Sequence, residues 1–126
     1  MRLLLDTNAL LWLLEENHRL GPRARTAMQA AASLLVADAT LWEIAVKISI
    51  GKLKLPPDFA TAVSELGFDR PVVSARQIET LAALPLRHRD PFDRMLIAHA
   101  LSDGLTVVTS DPMFEKYGVR VLDAGA

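Results

Sequence analysis

Five short runs constrain this chain more than anything else in it: "RLLLD" near the start, then "SLLVA", "RPVV", "LTVVTS" and, near the end, "VRVLDA". Each is mostly apolar and too brief for a stable helix, so each reads as a strand. The segments between them carry helical spacing instead. Leu10, Leu11 and Leu14 mark a helix in "TNALLWLLEE", and Pro22 opens another in "GPRARTAMQAAA". "TLWEIAVKISI" is a helix ended by Gly51, and "KLKLPPDFATAVSELG" reads as a link, a Pro-Pro break and a further helix. A helix from Ser74 to Leu84 stops at Pro85, the helix of "RDPFDRMLIAHA" closes at Asp103-Gly104, and "DPMFEKYG" makes a short last one. Apolar strands alternating with helices imply an α/β fold whose parallel sheet is covered on both faces.

A single domain over residues 1–126 is expected, since no composition shift, repeat or linker divides the chain. Hydrophobic residues make up 51%, enough for a core and a hint that a subunit or partner covers one face. The net charge of −1 excludes a protein that holds nucleic acid by charge alone, although a bound divalent cation would change the sign of a local site. With no cysteine, disulfides, thiolate zinc sites and cysteine nucleophiles are excluded, which fits the cytoplasm. "MRLLLDTNALLWLLEEN" is too short and too interrupted by Asp6 for a signal peptide or membrane span, so no membrane association is expected.

In open parallel sheets, sites lie beyond the carboxyl ends of strands, where strand order reverses. Asp6 ends the first run and Asp111 follows "LTVVTS" by one position, so both fall at that edge. Each also has an ordinary explanation. Asp6 or Thr7 can cap the following helix, and Asp111 stands before Pro112 as a cap does. Glu43 can pair with Lys47 four residues on, but Leu41, Trp42, Ile44, Ala45 and Val46 leave it little solvated face. Asp90, before Pro91, is the natural cap of its helix. That leaves Asp93 in the third helical position, on the face of Leu96, Ile97 and Ala100, where a bare carboxylate is costly to bury. A capping box would excuse it only in part, because Glu or Gln is the usual residue there. Gathered together, Asp6, Glu43, Asp93 and Asp111 would repel one another unless a divalent cation sat among them. Oxygen-only ligands favour Mg²⁺ or Mn²⁺ over zinc. Such a centre suits hydrolysis of a phosphate ester by metal-activated water.

"LLLDTNALLW", "LWEIAVKISIGKLKL", "RDPFDRMLIAHA" and "VVTSDPMFEKYGV", in that order, resemble the PIN-domain ribonucleases, and in particular the VapC-like toxins of bacterial toxin–antitoxin pairs. The resemblance implies a three-layer α/β/α fold whose five parallel strands lie in the order 3-2-1-4-5, and an Mg²⁺- or Mn²⁺-dependent endoribonuclease. It makes Asp6, Glu43, Asp93 and Asp111 the metal-binding and catalytic acids. Asn8 would arrange the first acid, and Thr109 and Ser110 would stand beside the last. Asp90 is assigned to capping. The resemblance further implies an RNA substrate, a homodimer and a small antitoxin partner. Arg87, Arg89, Arg94 and Lys47 could hold RNA phosphates, or simply face solvent. Trp12 and Trp42, at helical spacing within apolar runs, are expected in the core. His18, His88 and His99 show no metal-ligand spacing, and His99 is expected to be a hydrogen-bonded packing residue.

Two other functions compete. One is a PIN-like binding module without catalysis. The other is an aspartate-nucleophile phosphohydrolase of the haloacid-dehalogenase kind, which "LLLDTNA" superficially resembles; that opening needs a second acid two positions after the first, where this chain has Asn8.

Overall fold

Leu3, Leu4 and Leu5 are wholly buried, and the rest of the molecule is assembled around them. The computed structural model describes residues 1–126. In chain order it contains β1 (Arg2–Leu5), α1 (Thr7–Leu14), α2 (Pro22–Ala30), β2 (Ser33–Leu35), α3 (Asp38–Ser49), α4 (Phe59–Glu65) and α5 (Ala75–Ala83). After these come α6 (Pro91–Asp103), β3 (Thr106–Thr109), a 3₁₀ turn (Phe114–Tyr117) and β4 (Val121–Asp123). The strands form one parallel sheet in the order β2-β1-β3-β4, with Leu4 opposite both Leu35 and Val107, and Val108 opposite Leu122.

Side chains alternate across a strand, so successive residues of β1 serve different cores. Leu3 and Leu5, with Val108, face a cluster supplied by α1, α2, α4 and part of α3. Leu4 and Val107 face the opposite cluster, built from Leu96, Ile97 and Ala100 of α6 together with Phe114. Helices on both faces of a parallel sheet are the arrangement that the short apolar runs imply. From β1 the chain crosses to β2 on one side and later to β3 on the other. The carboxyl ends of β1 and β3 therefore flank the switch point where a site is expected.

The sheet has four strands and not the expected five. Beside β2, where "RPVV" was expected to add a strand, there is one isolated parallel bridge between Leu35 and Asp69. Asp69 donates its N–H to Leu34 and accepts from Val36, both at 2.9 Å. The next donor on that side would be Pro71, which has no N–H, so the ladder stops. Val72 beyond it is 71% exposed. The "DPMFEKYG" helix likewise contracts to a 3₁₀ turn, closed by Gly118 at a φ of 76°.

Two expectations about packing are also corrected. Trp12 is partly buried against the core, but Trp42 is 67% exposed. It rests edge-on against Phe92, with ring centroids 5.9 Å apart. Val46 lies on the same open side of α3, whereas Glu43 is buried, with the little solvated face expected of it. His99 is buried completely, yet neither ring nitrogen has a hydrogen-bond partner. Its nearest carboxylate, Asp103, lies 3.9 Å from Nδ1. Burial pushes the His99 imidazole below its usual pKa, against the pull of Asp103 and Asp38.

Candidate metal centre

Asp6 follows the last residue of β1 and caps α1, where its Oδ1 accepts the N–H of Ala9 at 2.8 Å. The ordinary explanation for this residue is thus correct, but capping uses only one carboxylate oxygen. Asp6 is just 7% exposed, and burial raises its pKa. The charges of Asp111 and Glu43 raise it further, while the Thr109 hydroxyl and the Ala9 N–H pull the other way.

Glu43 reaches the same place from α3. Lys47 does pair with it, at 2.9 Å from Oε2. The other oxygen accepts the Thr7 hydroxyl at 2.7 Å, so the buried carboxylate is held from two sides. At the end of β3, Thr109 Oγ1 accepts the N–H of Asp111 at 3.0 Å, and Asp111 Oδ1 accepts that of Met113 at 2.9 Å.

Asp90 caps α6 by accepting the N–H groups of Phe92 at 2.8 Å and Asp93 at 3.0 Å. Asp93 itself is not part of a capping box. Its Oδ2 lies 2.8 Å from His88 Nε2, a partner that periodicity along the helix could not reveal. Burial nevertheless pushes the Asp93 carboxyl up to about 6, with Asp90 and Glu43 adding to the rise and His88 opposing it.

These residues line a single cavity of about 330 Å³: Asp6, Thr7, Asn8, Glu43, Lys47, Asp90, Asp93, Ser110 and Asp111. None of its walls is hydrophobic, and it contains five carboxylates but one ammonium. Asp90 is therefore both cap and wall. Thr109 is buried beneath the rim, beside Asp6 and Asp111. Single oxygens of Glu43, Asp90 and Asp93 come within 4.8 Å of one another, as do ligand atoms of His88, Asp93 and Asp111. That donor set fits a hard divalent cation, which would relieve the repulsion that the fold imposes.

The flanking cations separate into different roles. Lys47 is in the cavity. Arg94 directs its guanidinium to the carbonyls of Leu84, Pro85 and His88 and to the Tyr117 hydroxyl, at 3.1 to 3.3 Å. Arg87 bonds the Lys116 carbonyl, and Arg89 is exposed. Arg94 thus ties down the loop before α6 and is not a free cation.

Sequence reasoning missed two contributors. Thr7 had a signal, a hydroxyl directly after the first acid, but was read only as a possible cap. His88 had none, because its distance to Asp111 is set by tertiary packing.

The sequence matches the model of the PIN domain over residues 3–120. The chain belongs to the PIN domain family. Among solved structures, this PIN domain is similar to VapBC2 from Rickettsia felis bound to a DNA fragment from their promoter. The TM-score is 0.69 at 14% identity, covering 97% of this chain and 98% of that one. DNA-bound VapBC from Salmonella typhimurium gives 0.64 at 24% identity, with 98% of both chains covered. A toxin–antitoxin complex from Klebsiella pneumoniae gives 0.61 at 20% identity, with 96% of both covered. At these identities the likeness speaks for the fold. No curated protein sequence matches.

Asp90→Ala removes the cap of α6 and should lower unfolding stability by about 1 kcal/mol, as helix caps do. Urea denaturation of metal-free protein measures this directly. An unchanged midpoint would show that the two N–H bonds do no more than offset the repulsion between Asp90 and Asp93.

Proposed function

We propose that this PIN domain is a metal-dependent endoribonuclease, the VapC-like toxin of a toxin–antitoxin pair. The observation that carries the reading is the convergence of Asp6, Glu43, Asp90, Asp93 and Asp111, from four separate parts of the chain, on one cavity without a hydrophobic wall. Asp6, Glu43, Asp93 and Asp111 would hold Mg²⁺ or Mn²⁺. When bound, the cation supplies an activated water and offsets charge on the leaving oxygen of a phosphodiester.

The chain's own groups prepare the site. The Ala9 N–H fixes one oxygen of Asp6, and the neighbouring Thr109 hydroxyl also favours the carboxylate. Thr7 and Lys47 hold Glu43 in one orientation, and Lys47 can also meet a phosphate at the cavity mouth. Asn8 and Ser110 line the cavity with neutral hydrogen-bonding groups, and Arg87 and Arg89 stand exposed on the loop before α6. No helix is long and apolar enough to cross a membrane. An RNA substrate, a small antitoxin partner, a homodimer and action in the cytoplasm complete the reading. The antitoxin is supported by the likeness to a solved toxin–antitoxin complex from Klebsiella pneumoniae.

The test is cleavage of a panel of structured RNAs with Mg²⁺ or Mn²⁺, with and without chelator. Internal cuts with either metal and none with chelator are expected. Metal binding without any cutting would leave the binding-module reading, and cutting that survives the chelator would remove the metal from the mechanism.

A further inference from the structure

His88 is the one imidazole within reach of the carboxylates of this cavity. Its Nε2 lies 2.8 Å from Asp93 Oδ2 and 3.6 Å from Asp111 Oδ2. The distance to Asp111 does not follow from chain proximity. The loop is fastened by Tyr117, whose hydroxyl accepts the N–H groups of Arg87 and His88 at 2.9 and 2.8 Å and donates to Pro85 at 2.8 Å. The imidazole also stands edge-on to Phe114, with centroids 6.5 Å apart. Ring and backbone are therefore both held, and the nitrogen is presented to two acids on different elements.

The spacing matches shared coordination. Octahedral ligands at 2.0–2.1 Å from one ion lie roughly 3 Å apart when adjacent and roughly 4 Å when opposite. The nitrogen-to-oxygen separations here fall in or close to that range, and the three donor atoms lie within 4.8 Å of one another. Asp93 belongs both to this group and to the all-oxygen group with Glu43 and Asp90.

We infer that His88 is a nitrogen ligand of the metal centre, acting with Asp93 and Asp111, and that it biases the centre toward Mn²⁺ and later divalent metals over Mg²⁺. This rests on the proposed metal-dependent function and specifies its cofactor. Imidazole suits the later first-row metals, whereas Mg²⁺ prefers carboxylate and water. An oxygen-only set would discriminate less between Mg²⁺ and Mn²⁺.

The test is spectroscopic and needs no turnover. Pulsed EPR of the Mn²⁺-loaded full chain should resolve coupling to an imidazole nitrogen, lost in His88→Ala and in His88→Asp and retained in His18→Gln. Calorimetry should find Mn²⁺ binding weakened about tenfold or more in His88→Ala. In His88→Asp, binding should be largely restored but the preference for Mn²⁺ over Mg²⁺ reduced. Absence of nitrogen coupling in wild-type protein that binds Mn²⁺ overturns the inference and leaves the nuclease reading standing, with His88 reduced to a hydrogen bond on Asp93. Failure of the wild type to bind Mn²⁺ at all overturns both. Unchanged affinity in a folded His88→Ala protein also rejects His88 as a ligand.

Discussion

Asp93→Asn should lose at least about a hundredfold in metal-dependent RNA cleavage while making the metal-free protein more stable. The loss follows from position: Asp93 is the one residue shared by both groups of closely spaced donors. Residues that merely support a ligand already cost ten- to a hundredfold when removed, so losing a shared ligand should cost more. The gain follows from its pKa. Burial pushes the carboxyl up to about 6 from an ordinary 3.8, so the ionised form is disfavoured in the folded state. Below pH 4 the group is protonated in both folded and unfolded chains, and it imposes no penalty. Above pH 6 it is ionised in both, and the penalty is complete. Asparagine copies the shape of the neutral form and can still accept from His88. After allowance for solvent screening at a partly exposed side chain, the gain should be on the order of 1–2 kcal/mol at neutral pH and fade toward pH 4. Thermal melts of both proteins across that range measure the difference. A variant that is less stable at pH 7, or one that cleaves at full rate, would show that Asp93 is a structural acid.

The positions of the acids explain which parts of the site could be read along the chain. Asp6 and Asp111 were legible because each follows an apolar strand, and strand ends locate the switch point of a parallel sheet. Asp93 was legible as a conflict, an acid where the helix period demands burial. Both kinds of signal are local. The His88–Asp111 approach is not, since it depends on Tyr117 and Arg94 anchoring a loop that has no periodicity of its own. The expected fifth strand failed for a local reason that was available: Pro71 lacks the N–H that a continuing ladder requires. Trp42 was misplaced because helical spacing reports that a face is apolar without saying what covers it. In α3, Leu41 and Ile44 turn to the core while Trp42 and Ile50 remain open to solvent.

Saturating Mn²⁺ should raise the melting temperature of the wild-type chain by roughly 10 °C at pH 7.5, and the shift should shrink steeply as the pH falls to 5. A ligand at a hundred times its Kd adds about 2.7 kcal/mol, and a domain of this size gains a few degrees per kcal/mol. The shrinkage arises because protons compete for the same oxygens: Asp93 gains its proton near pH 6, and Asp6 is raised in the same direction. Acid also acts on His99, but with the opposite sign. Its pKa is lowered in the folded state, so the unfolded chain binds the extra proton and stability falls as the pH drops below about 6.5. That contribution is the same with and without metal, because His99 is buried within α6 and its nearest acid is Asp103, so it cancels when melts with Mn²⁺ and with chelator are subtracted. What remains belongs to the groups that hold the cation, Asp93 among them. A difference that stays level from pH 7.5 to 5, or that Asp93→Asn leaves intact, would place the cation elsewhere on the molecule, because a cation held by Asp93 must surrender its affinity as that oxygen takes up a proton.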